Sequence, residues 1–205
     1  MATSSPIGGA GDRAIHPIEP RRRRTTARQA RTVDLLLDAA ADEARLLGYD
    51  GMAVRAAARR AGVAPATAYT HFASKDHLLA EVMWREMRRL LDAAPAVRAT
   101  PQERLEAELM LLGTFMADEP ALAAAGTTAL LQPGPETSAI RMRIGLAAHD
   151  RLAAALGPDA DEAVMTALDL LYTGALLWMG LGHLRPDQVP VTLVAAGRLI
   201  LGGKR

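Results

Sequence analysis

The sequence predicts an all-α protein, and three observations lead there. Apolar residues recur at three- and four-residue steps through nearly every segment between Arg28 and Leu201. No stretch of any length alternates apolar and polar residues with the period of two that a half-buried strand requires. Proline and capping side chains mark most of the joints between the periodic segments, dividing the chain into about nine helices.

The elements follow in order. Residues 1–20, rich in Gly, Ser, Pro and Ala without periodicity, are expected to be disordered, and Arg21-Arg22-Arg23-Arg24 extends them as a basic arm. From about Arg28, the residues Val33, Leu36, Leu37, Ala40, Ala44 and Leu47 line one face of a first helix. Gly48 can end that helix in the left-handed conformation. Met52 to Ala61 reads as a short second helix, and Gly62-Val63 as a tight turn. Ala64 to Phe72 reads as a third helix, with Pro65 in the first turn, where a missing N–H costs little. Ser74 is the expected N-cap of a fourth helix reaching about Asp92, with Asp76 complementing its dipole. Ala93-Ala94-Pro95 then breaks the pattern. Thr100-Pro101-Gln102-Glu103 has the form of a capping box and opens a helix to about Asp118. Further helices are expected over Pro120–Leu131, over Glu136–Leu156, from a second capping box at Asp159 and Glu162 to about His183, and over Pro186–Leu201.

Bulk properties narrow the function. The chain has 205 residues, half of them apolar and 23% charged, which is enough to bury a sizeable core. It has no cysteine, which excludes disulfides and thiolate metal sites and fits a reducing cytoplasm. No apolar leader opens the sequence, so no signal peptide is expected. Leu170 to Gly182 is nearly all apolar, but Asp169 and His183 flank it and it falls short of the about 20 residues a membrane span needs. A buried helix or a dimer interface is the expectation there. The net charge of +1 hides an asymmetry. Residues 1–92 carry 15 Lys/Arg against 11 Asp/Glu, and residues 93–205 carry 9 against 12, so basic charge sits at the front, where a DNA-contacting half needs it.

The stretch around Gly62 carries the functional inference. Two short helices meet at this glycine, Ala58 four residues earlier is small enough to let them pack closely, and Val63 seats the second. That is helix-turn-helix geometry, in which the second helix enters the major groove. The longer pattern is Gly48-Tyr49, Val54-Arg55, Ala61-Gly62-Val63, Thr67, Tyr69, Phe72, Ser74-Lys75 and Leu78-Leu79. In this pattern, over about residues 28–85, the chain resembles the TetR family of bacterial transcriptional regulators.

The resemblance implies an N-terminal DNA-binding domain and a C-terminal effector-binding and dimerisation domain, here a basic arm over 1–24, a helix-turn-helix domain over 25–73 and an effector domain over 74–205, with the helix at 74–92 connecting the two. It implies a repressor released from its operator when a small molecule enters the second domain. Thr67 and Tyr69 offer hydroxyls for phosphate or base contacts, His71 can donate to a phosphate, and Lys75 starts a helix where its charge and nearby N–H groups suit one. Arg55 is suited to bidentate contact with guanine. Phe72 is expected in the core. The chain departs from the family pattern at Ala64, Pro65 and Met52-Ala53, where polar residues are usual. Pro65 and Ala66 are expected to meet thymine methyls, and Arg21, Arg22, Arg23 and Arg24 to restore phosphate affinity.

In the second half, Trp84, Met87, Met110, Phe115, Met116, Met142, His149, Tyr172, Trp178 and Met179 are the candidate pocket residues, set against an equally ordinary place in the core. So apolar a set favours an apolar, lipid-like or polycyclic effector over a charged one, with His149, Arg141 and Asp169 available for a polar end. The last two helices are expected to form a four-helix bundle across a two-fold axis, with Gly174, Gly180 and Gly182 permitting close approach, and such a dimer reads a near-palindromic operator. No cofactor and no metal are expected. Three rivals stand beside this reading: a helical enzyme, although no nucleotide, zinc-protease or nucleophile-elbow motif is present; an architectural DNA-binding protein without an effector; and an activator instead of a repressor.

Overall fold

The structure, a computed structural model, describes residues 19–93 and 100–202, with side chains from Ala27 onward. The described residues form nine α-helices and one short 3-10 turn, with no strand among them. The helices are α1 (Glu19–Gly51), α2 (Val54–Arg60), α3 (Pro65–His71), α4 (Lys75–Ala93), α5 (Pro101–Asp118), α6 (Pro120–Leu131), α7 (Pro135–Leu156), α8 (Glu162–Gly180) and α9 (Val189–Gly202), the 3-10 turn Pro186–Gln188 preceding α9. The disorder expected before Glu19 and the break expected at Pro95 lie outside the described residues.

Several boundaries differ from the sequence expectation: α2 opens at Val54 and not Met52, α8 ends at Gly180 and not near His183, Pro186–Gln188 form a 3-10 turn before α9, and the starts of α1 and α8 move further. Helix α1 opens at Glu19 and not near Arg28, so Arg21–Arg24 continue the helix backbone instead of forming a disordered arm. Pro20 falls in the first turn, where its fixed φ suits a helix start, and arginine is a good helix former. Helix α8 is capped by Asp161, whose carboxylate accepts from the Ala163 and Val164 N–H groups (2.9 and 3.2 Å), and not by Asp159. Asp159 is taken up in a turn after Gly157 (φ 93°), which the Ala160 N–H closes onto the Gly157 carbonyl (3.2 Å). Elsewhere the caps follow the sequence. Thr100 and Glu103 form the reciprocal capping box, and Ser74 Oγ accepts from the His77 N–H at 3.0 Å. Gly48 interrupts α1 with φ 66° and ψ −170°.

Two apolar cores organise the molecule. The first joins Leu36, Ala40 and Ala44 of α1, Ala57 and Ala58 of α2, Ala68 of α3, and Leu78, Leu79 and Val82 of α4. It extends to Leu122, Ala125 and Ala129 of α6. The second runs from Met83, Met87 and Leu91 of α4 through α5, α7, α8 and α9. Helix α4 therefore serves both cores, its first half closing the N-terminal unit and its second half entering the larger one. Glu119, at the start of α6, receives the Nε and Nη2 donors of Arg45 on α1 (2.8 and 3.0 Å) and ties α6 to the N-terminal unit.

Helices α5 and α9 approach most closely. A Cβ on Gly113 would lie 2.6 Å from the Cα of Pro190, and one on Gly197 would lie 2.3 Å from Leu109 Cδ1. At the rim of this pair, Arg198 Nε donates to Glu106 at 2.8 Å, and the paired guanidinium holds the Glu106 carboxyl down at about 2. Helix α8 is long and apolar enough to cross a membrane by length and composition. Its residues Val164, Met165, Leu168, Tyr172, Ala175 and Met179 are nevertheless buried at helical spacing, which makes it a core helix with one further apolar face outward.

Candidate functional site

The turn between α2 and α3 is built by short-range hydrogen bonds. The Val63 N–H reaches back to the Ala58 carbonyl (2.9 Å) and the Gly62 N–H to the Arg59 carbonyl (3.1 Å), which is the Schellman pattern for ending a helix. Gly62 carries the positive φ (66°) that this pattern needs. Beyond the turn, Pro65 starts α3, and Ala68 and Phe72 anchor its inner side in the N-terminal core. Phe72 also packs edge-on against His77 of α4, ring centroids 5.5 Å apart.

That anchoring decides what α3 shows to solvent. Pro65, Ala66, Thr67 and Tyr69 are all exposed, Tyr69 at 47%. The hydroxyls of Thr67 and Tyr69 make no hydrogen bond within the described residues, whereas Thr70 Oγ1 bonds back to the Ala66 carbonyl at 3.0 Å. His71 is half-buried beside Phe72. Arg55 is exposed on α2 and has no carboxylate partner among the described residues. The same holds for Arg59, one helical turn further on, which sequence reading did not single out although the four-residue spacing from Arg55 was visible. Arg28 and Arg31 of α1 are likewise exposed and unpaired among the described residues. Arg60, by contrast, is held by Glu43 at 2.7 Å, and Arg85 by Asp38 at 2.8 Å. The side chains of Arg21–Arg24 lie outside the described ones.

Lys75 has a structural engagement that its place at a helix start did not suggest. Its Nζ donates to the Tyr49 carbonyl at 3.0 Å and sits 3.8 Å over the Tyr49 ring. The Tyr49 hydroxyl in turn donates to Asp76 at 2.6 Å. Burial, followed by this bond to a carboxylate, pushes the Tyr49 hydroxyl up to about 12. The clamp fixes the start of α4 against the end of α1, and with it the platform that carries α3.

The second half holds a cavity of about 190 Å³ among α6, α7 and α8. Thr127, Leu130, Arg141, Ile144, Tyr172 and Leu176 line it. A more open hollow of about 310 Å³ adjoins it through Gly145, Tyr172 and Thr173, and has the His149–Asp169 pair (2.9 Å) on its wall. Of the ten pocket candidates, Tyr172 and His149 line these spaces. Met87, Met116 and Met179 are buried in the second core, and the Tyr172 hydroxyl points to Met87 Sδ at 4.0 Å. Phe115 is half-buried where the two cores meet, and half-buried Trp84 lies under the Arg143 guanidinium, 5.4 Å from the ring centroid.

Met110, Met142 and Trp178 face outward, away from both spaces. The inward rows Leu105–Leu109–Leu112–Met116, Ile140–Ile144–Ala148–Leu152 and Leu168–Tyr172–Ala175–Met179 leave Met110 and Met142 on the opposite sides of their helices and Trp178 on an exposed flank. Outward on α8 and α9 stand Leu170, Trp178, Leu181, Val191 and Leu199, the last 78% exposed.

Comparison with known proteins agrees with this architecture. An uncharacterised HTH-type transcriptional regulator of Mycobacterium tuberculosis is 39% identical over 178 residues, spanning 86% of this chain and 83% of its own. The HTH-type transcriptional repressor KstR of Mycolicibacterium smegmatis is 37% identical over 99 residues, covering 47% of this chain and 48% of that protein. Among solved structures, a TetR transcriptional regulator from Rhodococcus sp. RHA1 superposes with a TM-score of 0.68 at 24% identity, covering 89% of this chain and 99% of the other. Helix-turn-helix, exposed polar face and relatives together define a DNA-binding transcriptional regulator. Residues 36–82 match the model of bacterial regulatory proteins of the tetR family, and the chain belongs to that family. Its members bind DNA and dimerise.

Proposed function

We propose that this chain is a ligand-responsive repressor of the bacterial cytoplasm. It dimerises through α8 and α9, holds a near-palindromic operator and leaves it when a small effector occupies the cavity among α6, α7 and α8. The observation that carries the DNA-binding part is the outward side of α3, with two hydroxyls that make no hydrogen bond among the described residues, over an anchor of Ala68 and Phe72. In this reading Arg55, Thr67 and Tyr69 meet base edges or phosphates, Pro65 and Ala66 meet thymine methyls, and His71, Arg59 and the basic run Arg21–Arg24 meet phosphates. Lys75 uses one of its three donors on Tyr49 and keeps two for a phosphate.

The response is supported by α6. One side of this helix walls the cavity with Thr127 and Leu130, and another is buried in the N-terminal core through Leu122, Ala125 and Ala129. A ligand that moves α6 moves the platform of the recognition helix. The repressor sign is supported by the name of the partial relative KstR. Dimerisation through the last two helices is supported by the row of outward apolar residues on α8 and α9, which water would otherwise cover.

Fluorescence anisotropy across a salt series, with a duplex from the gene's own upstream region and a scrambled duplex, tests the reading. A preference for the native duplex of about 10³ or more is expected. Equal binding with a steep salt slope would favour the architectural alternative.

A further inference from the structure

Arg141 is the charged residue of the cavity wall, and its engagement differs from that of three other arginines. Arg45, Arg151 and Arg198 each turn the edge formed by Nε and Nη2 onto a glutamate. Arg141 has no carboxylate partner among the described residues. Its Nη1 donates to the Leu130 carbonyl and to that of Gln132 (3.2 Å), and its Nη2 donates to Ser138 Oγ at 3.1 Å. Those carbonyls belong to the end of α6, whose dipole offsets part of the guanidinium charge and holds the group in place, while no carboxylate among the described residues neutralises it. The Nε–H has no partner, and Nη2 has used one of its two hydrogens. The edge that grips carboxylates elsewhere in this protein is open here.

A second polar group waits in the same wall. Thr127 is 4% exposed and its hydroxyl is the buried side-chain polar atom left without a hydrogen bond among the described residues. It lies one helical turn before Leu130, whose carbonyl fixes Arg141. The remaining wall beside these two is apolar, with Leu130, Ile144 and Leu176.

We infer that the effector is an acidic amphiphile: a compound with one carboxylate, which pairs with the open edge of Arg141, and an apolar body that fills the cavity. This rests on the effector reading above and makes the polar end of its mainly apolar ligand an anion held by Arg141. A charge-assisted bond of this kind separates an acid from its alcohol by about tenfold.

The test uses the full chain and two probes of equal length, octanoate and 1-octanol, titrated at neutral pH by calorimetry and by anisotropy of the protein–operator complex. The acid is expected to bind about tenfold more tightly than the alcohol. Arg141→Gln is expected to abolish that difference, and Arg141→Lys to restore part of it. Equal binding of both probes to the unaltered chain overturns the acidic effector and leaves the cavity as an apolar site. Binding of neither probe overturns the cavity reading and this inference together. A preference that survives in Arg141→Gln removes the assignment to Arg141. Should Arg141→Gln fail to fold, the comparison of acid with alcohol on the unaltered chain decides alone.

Discussion

At the scale of single residues, the recognition surface is defined by what its side chains do not do inside the chain. Thr70 satisfies its hydroxyl on its own helix, while Thr67 and Tyr69 do not. Arg60 is spent on Glu43, while Arg55 and Arg59 have no carboxylate partner among the described residues. The two groups are expected to separate on mutation. Tyr69→Phe or Arg55→Ala should cost about 1–3 kcal/mol on the native operator and little on a scrambled duplex. Arg59→Ala should weaken both duplexes alike and reduce the salt slope by about one. Anisotropy on the two duplexes reads both effects, and a uniform loss for Tyr69→Phe and Arg55→Ala would move those residues to the phosphate class. Arg55, Thr67 and Tyr69 could be named as candidates from the sequence because their spacing belongs to one short motif, whereas Arg59 was not singled out. Lys75 was only half legible: its place at a helix start was visible, its clamp on Tyr49, 26 residues earlier, was not.

At the scale of elements, the caps decide where helices begin, and the close approaches decide how they pack. The capping box at Thr100 and the turn at Gly62 are local chemistry and follow from four or five consecutive residues. The start of α8 shows the limit of such reading, since both Asp159 and Asp161 are capping residues by type and the preceding turn at Gly157 chooses between them. Packing between α5 and α9 depends on Gly113 against the backbone of Pro190. Backbone cannot yield as a flexible side chain can, so Gly113→Ala is expected to destabilise the chain by about 1–3 kcal/mol. Urea unfolding measures it, and an unchanged midpoint would mean that α9 shifts freely. The glycines expected to admit close helix approach between protomers behave differently within the chain: Gly174 and Gly182 face open space, while Gly180 packs on Thr127.

At the scale of the whole molecule, α4 and α6 join the two cores, and α8 and α9 carry apolar side chains outward. The outward row predicts the assembly. Leu199→Glu introduces a carboxylate on each protomer at the proposed interface, where burial of an unpaired charge is costly. Sedimentation velocity is expected to show a monomer, with loss of binding to the two-half-site operator and retention of the helical circular dichroism spectrum. A dimer of unchanged stability would place the interface on another face.

What the sequence by itself determined is the all-α class and the helix-turn-helix. Both rest on short-range rules: a period of 3.6, a glycine at positive φ, and caps within a few residues of the helices they serve. Tertiary structure alone decided which of the methionines and aromatics line the cavity, because being apolar does not say which side of a helix meets a neighbour and which meets water. It also decided the character of the cavity, whose wall comes from three helices and includes Arg141, held by the end of α6 with no carboxylate partner among the described residues. A guanidinium held by carbonyls and by no carboxylate among the described residues is a relation that exists only once the chain is folded.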